Sequence, residues 1–163
     1  MCDWTQLHAA WQRASAGKRQ RPASAAFEHH LADHLLALAD DLRAASWRPQ
    51  PYTHFWIHEP KRRRISAAAF ADRVVHHALC RVMEPRFERL FIADSFANRV
   101  GKGTHRAVVR LQQLARQHRY VLRCDIRQHF ASIDHALLTQ ALATQVHEPE
   151  LMALIGHIMA SGE

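Results

Sequence analysis

The chain has 163 residues, 48% of them hydrophobic, with 22 Lys and Arg against 15 Asp and Glu and a formal net charge of +7. That length supports one domain able to bury about 68–70% of its unfolded surface. Five Gly and six Pro exclude a collagen-like or low-complexity chain. No apolar run approaches the roughly 18 residues of a membrane helix. The N-terminal MCDWTQLHAAWQ lacks the charged-then-apolar order of a signal peptide, so the expected location is the cytoplasm, with no membrane partner.

In chain order, residues 1–46 are expected to form an N-terminal helical region. Within it KRQRP (18–22) is a basic, mobile stretch. From Phe27 to Arg43 the apolar positions Phe27, Leu31, Leu35, Leu38 and Leu42 recur every three to four residues, which predicts one amphipathic helix with Ser24 as its N-cap. Trp47-Arg48-Pro49-Gln50-Pro51 is extended, because each proline disfavours helix in the residue before it. Tyr52–His58 reads as an aromatic strand, Lys61–Arg64 as the basic turn of a hairpin, and Ile65 as part of the second strand.

A second helix is predicted over 67–83, with Phe70, Val74, Ala78, Val82 and Met83 on or near one stripe and Pro85 after its end. DSFANRVGKG (94–103) reads as a loop. Thr104 is expected to cap a third helix running to about His118, with Val108, Leu111 and Leu114 inward. Tyr120–Cys124 (YVLRC) reads as a short strand, Asp134 as the cap of the next helix, and Pro149 as the start of a last one carrying Leu151, Leu154, Ile155 and Ile158. The class is α+β, rich in helix.

Metal-ligand spacing is not evident in the usual places. Cys2, Cys80 and Cys124 lie too far apart for a disulfide framework or zinc knuckle. Among the 14 histidines there is no HExxH. His54 and His58, four apart, share a strand without a cysteine nearby.

Charge is more informative. Residues 1–60 are neutral overall; residues 61–127 carry sixteen basic and five acidic side chains, net +11; residues 128–163 carry four acids and no Lys or Arg. So concentrated an excess is the electrostatic footprint of a polyanion partner, most often nucleic acid. Three segments inside that block suit phosphate or metal chemistry. EPKRRRIS sets Lys61 and Arg64 on a projecting hairpin. GKGTH places two glycines before a helix N-terminus, where backbone N–H groups favour phosphate, although the segment is not a Walker A loop. YVLRCDIRQHFASIDH puts Asp125 at the end of an apolar strand, where a carboxylate can hold a hard divalent cation.

Together, EPKRRRIS, FADRVVHHAL, MEPRFERLFIADSFANRVGKGTHRAV and YVLRCDIRQHFASIDH resemble the reverse transcriptase family, in particular the bacterial RNA-directed DNA polymerases of group II introns and retroelements. The likeness runs over about residues 50–160, in the family's order. It implies a fingers subdomain over 47–118 and the first part of a palm over 119–163. Asp125 then matches the first catalytic aspartate and a ligand of two Mg²⁺ ions. Phe130 matches the aromatic gate that excludes a ribose 2′-OH, and Lys61 and Arg64 match contacts to the incoming triphosphate. Arg62, Arg63, Arg99, Gly101, Lys102 and Gly103 fall in the segments placed near nucleic acid. The implied reaction is in-line attack of a primer 3′-OH on the α-phosphate of a dNTP, directed by an RNA template and carried by two metals about 3.5–4 Å apart.

The sequence also departs from the family. No Tyr/Phe-x-Asp-Asp follows Asp125, and the Asp40-Asp41 pair lies far upstream on an amphipathic helix. Asp134 has a capping role. His129 stands where the family usually has an aromatic. The expectation is a truncated polymerase, inactive alone. The alternatives are a non-catalytic RNA- or template-binding fragment, and one half of a split enzyme completed by a palm and thumb polypeptide. An unrelated DNA-binding protein is disfavoured by the lack of helix-turn-helix spacing.

Overall fold

The computed structural model describes residues 1–162. The class is α+β: seven α-helices and one antiparallel hairpin among the described residues. The helices are α1 (Trp4–Ser15), α2 (Pro22–His29), α3 (Leu31–Arg43), α4 (Phe70–Glu88), α5 (Thr104–Ala115), α6 (His135–Ala143) and α7 (Pro149–Ala160); the strands are β1 (Thr53–Ile57) and β2 (Arg63–Ala67).

One core joins the two ends of the chain. Leu7, Ala10, Trp11 and Ala14 of α1 lie against Val74, Val75, Ala78 and Leu79 of α4, with Phe27 of α2 and Leu35, Leu38 and Ala39 of α3 closing the sides. Trp47, Val146, Leu154 and Ile155 complete the cluster. The three-to-four spacing that predicted these helices is what delivers the side chains to one face. Polar bonds border the α1–α4 contact: Arg13 donates to Glu84 at 2.9 Å and Arg81 to Gln6 at 3.4 Å.

Several boundaries differ from the sequence expectation. The single helix over 27–43 is two helices broken at His30 (φ −119°, ψ 43°). α2 starts at Pro22, whose fixed φ suits a first helical position. Arg21 therefore occupies the N-cap, and Ser24 is buried within the first turn. KRQRP is not separate from the fold: Lys18 N–H bonds to Ser15, Arg21 N–H to Lys18, and Arg19 pairs with Glu28 at 2.8 Å. Pro85 lies inside α4 rather than past its end. The turn beyond it is held by tertiary bonds, Arg86 to Glu148 and Glu88 to Arg99. Gly103, at φ +92°, takes the cap position of α5, so Thr104 is its first residue. Asp134 caps α6 as expected, accepting from Ala136 and Leu137 N–H at 2.8 and 3.0 Å.

Two expectations fail together. Tyr120–Cys124 forms no strand, and Val108 and Leu111 of α5 are about half exposed rather than inward. A strand is defined by a neighbour that takes its N–H and C=O groups, and residues 119–127 find no backbone partner among the described residues. With no sheet in front of it, α5 has nothing to bury its apolar stripe against.

Candidate functional site

The hairpin is positioned by a buried carboxylate. Asp72, in the first turn of α4 and 1% exposed, accepts the Gln50 N–H at 2.8 Å. This pins the extended segment that leads into β1. Burial raises the Asp72 pKa, with the Gln50 bond and nearby His76 opposing the rise. Its other oxygen has no hydrogen-bond partner among the described residues.

From that anchor β1 and β2 run antiparallel with His54 opposite Ser66, Phe55 opposite Ile65, and Trp56 opposite Arg64. Directly paired residues share a face and neighbours alternate. One face therefore carries His54, Trp56, Arg64 and Ser66; the other carries Phe55, Ile65, Ile57 and Arg63. His54 Nδ1 lies 2.9 Å from the Ser66 hydroxyl, so of the His54/His58 pair only His54 belongs to the strand. The Arg62 guanidinium sits 4.4 Å over the Trp56 ring. Lys61, Arg62, Arg63 and Arg64 are exposed, and among the described residues none is within ion-pair distance of a carboxylate. The predicted basic turn is thus a basic tip and second strand: Arg63 and Arg64 lie in β2, on its opposite faces.

The loop between α4 and α5 is organised by Arg99. Its Nε bonds both Glu88 carboxylate oxygens at 3.2 and 2.9 Å, Nη1 bonds the Ile92 and Ser95 carbonyls at 2.9 and 3.1 Å, and Nη2 reaches the Glu88 carbonyl at 3.4 Å. Its side chain is 10% exposed. Its donors therefore face the loop, not solvent. Lys102 bonds the Ala93 carbonyl and covers Phe96. Arg110 grips Asp94 through two bonds of 2.8 and 3.0 Å, lowering the Asp94 pKa. Gly101 and Gly103, at φ +71° and +92°, turn the chain into α5. Sequence spacing offered no sign of the Arg99–Glu88 clamp, since the pair joins the last residue of α4 to an irregular loop, where no helical or strand period applies.

Asp125 and Phe130 belong to a different segment of the chain. Asp125 is exposed in the irregular segment before the 3₁₀ turn Phe130–Ser132, and Phe130 is 88% exposed beside His129 (ring centres 5.2 Å apart). No hydrogen bond or ion pair links either to the hairpin or to the Arg99 loop among the described residues. Nor do three His, Cys, Asp or Glu side chains converge there on a common point. Mg²⁺ takes near-octahedral oxygen coordination. One solvated carboxylate does not make up the donor set of an ion pair, so these residues alone do not fit two metals.

No family model matches the chain. It is similar to Protein YkfC of Escherichia coli (strain K12), 28% identical over 139 residues that cover 81% of this chain and 36% of that protein. The chain thus spans about a third of the length of that relative.

Proposed function

We propose that the chain is the fingers and first palm segment of a reverse-transcriptase-type nucleotidyltransferase, and that it contributes nucleic-acid and nucleotide contacts to a reaction it does not complete alone. The observation that carries this reading is the order of segments. A hairpin whose four exposed cations pair with no carboxylate among the described residues is followed by α4, a glycine turn into α5, and a carboxylate five residues ahead of an exposed aromatic. In this reading Lys61 and Arg64 take the triphosphate, Phe130 faces the sugar, and Asp125 is one of several carboxylates. The others come from polypeptide outside these residues. Mg²⁺ would supply Lewis-acid stabilisation of the transferring phosphate.

Primer extension with Mg²⁺, RNA template, DNA primer and dNTPs tests this. The chain alone is expected to give no product. Adding a polypeptide that carries Tyr/Phe-x-Asp-Asp is expected to give synthesis that Asp125→Asn abolishes. Synthesis insensitive to Asp125 overturns the assignment.

A second reading, a binding fragment without chemistry, is favoured by the same hairpin cations. It predicts that affinity for RNA survives Asp125→Asn and falls with salt by about 0.7 in log K per log salt for each single-strand phosphate contact.

A further inference from the structure

We infer that the Trp56 face of the β1–β2 hairpin is a stacking platform for an unpaired base of single-stranded nucleic acid. The inference deepens the reading above, resting on it only in taking the hairpin to face nucleic acid.

Exposed aromatics are costly to hold in water, and this hairpin has no third layer to cover them: Phe55 is 47% and Trp56 52% exposed. By contrast, Trp11 and Trp47 are buried in the core at 3% and 5%. Register sets Trp56 in line with His54, with Arg64 opposite Trp56 and Ser66 opposite His54. The same face borders an open concavity of about 630 Å³, lined by Tyr52, His54, Arg64, Ser66 and residues at the end of α7. An aromatic face edged by cations that pair with no carboxylate among the described residues is complementary to a strand that presents both flat bases and phosphates. A duplex keeps its bases stacked inside and offers such a face only backbone. A protein partner would more often bring carboxylates than flat rings.

The Arg62–Trp56 stack shows how the platform is kept. A guanidinium over an indole covers the ring until a base arrives. A base taking that place exchanges a cation–π contact for a ring stack and releases the Arg62 donors toward a phosphate. Stacking and charge are thus separable. Trp56 contributes sequence-tolerant affinity, and Arg62 contributes salt dependence.

The test uses the 163-residue chain with fluorescein-labelled oligo(U) and oligo(dT) and an unlabelled duplex competitor, read by anisotropy at several salt concentrations. Trp56→Ala is expected to weaken single-strand binding about 5- to 150-fold with an unchanged salt slope. Trp56→Phe is expected to recover most of the affinity. Arg62→Ala is expected to lower the salt slope by about 0.7. Tryptophan quenching on binding is expected in the wild type and lost in Trp56→Phe, since Trp4 is the other exposed tryptophan at 44%. Far-UV circular dichroism verifies folding of each variant. Equal affinity of Trp56→Ala and wild type, or a duplex that competes as well as a single strand, overturns the platform. If Trp56→Ala binds normally while Lys61→Ala or Arg64→Ala does not, the platform fails and the polymerase-type reading stands. If the wild type binds no nucleic acid, both fail. Displacement of the oligonucleotide by an acidic polypeptide at equal concentration would instead mark the face as a protein-binding surface.

Discussion

Buried titratable groups set how single residues respond to solution conditions. His76 lies on α4 one turn from Asp72, and burial depresses its pKa below 6.5, with the Asp72 charge opposing and His77 assisting. The folded state therefore holds His76 neutral more firmly than the unfolded chain does. Its contribution is present above pH 6.5 and is lost as pH falls through the depressed folded value. Asp72, raised by burial, has the opposite sign: folding favours its protonated form, so its contribution fades as pH rises through its folded value. The urea midpoint of the wild type is expected to drop between pH 7.5 and 5.5, and His76→Gln is expected to flatten that drop. An equal slope in both proteins would refute the assignment. Neither effect was legible from the sequence, because FADRVVHHAL shows the residues and not the burial that shifts them.

Elements show where periodicity suffices and where it does not. Phe27, Leu35, Leu38, Val74 and Ala78 reach the core their spacing promised, since a helix needs only its own backbone and an apolar neighbour. Tyr120–Cys124 had strand composition, yet a strand also needs a ladder partner. The break at His30 and the passage of α4 through Pro85 were hidden for a related reason: local preference is overridden by packing and by Arg86–Glu148 and Arg99–Glu88. The Arg99 clamp also carries a prediction. Removing a mostly buried guanidinium leaves the Glu88 carboxylate and the Ser95 carbonyl without its donors, so Arg99→Ala is expected to cost about 2–4 kcal/mol in urea unfolding. Amide exchange over 90–103 should accelerate with it. Arg99→Lys recovers a fraction, because one ammonium cannot span the fork. Unchanged exchange in Arg99→Ala would show that the loop holds without it.

At the scale of the molecule, the chain divides into a packed half and an open half. Residues up to α4, with α7, share the core; Ile92, Val100, Val121, Leu122 and Ile126 are 65–90% exposed. Limited trypsin digestion is expected to cut first at Arg119, Arg123 and Arg127 and at the hairpin tip Lys61–Arg62, where among the described residues no backbone hydrogen bonds protect the chain, and to spare the helices α1–α4. First cleavage within any of those helices would contradict this division. The +11 charge block of the sequence straddles the two halves, which is why charge pointed to a partner class without locating a site. The hairpin and Asp125 were both legible as residues. That no hydrogen bond or ion pair joins them among the described residues was not.

The Gln50–Asp72 bond gives the hairpin a pivot. The segment leading into the hairpin is seated on the helical body through its Gln50 N–H on an interior carboxylate, so a ligand bound at Lys61–Arg64 would sit on an arm anchored at that bond. That bond ties the segment entering β1 to the first turn of α4, one turn before His76.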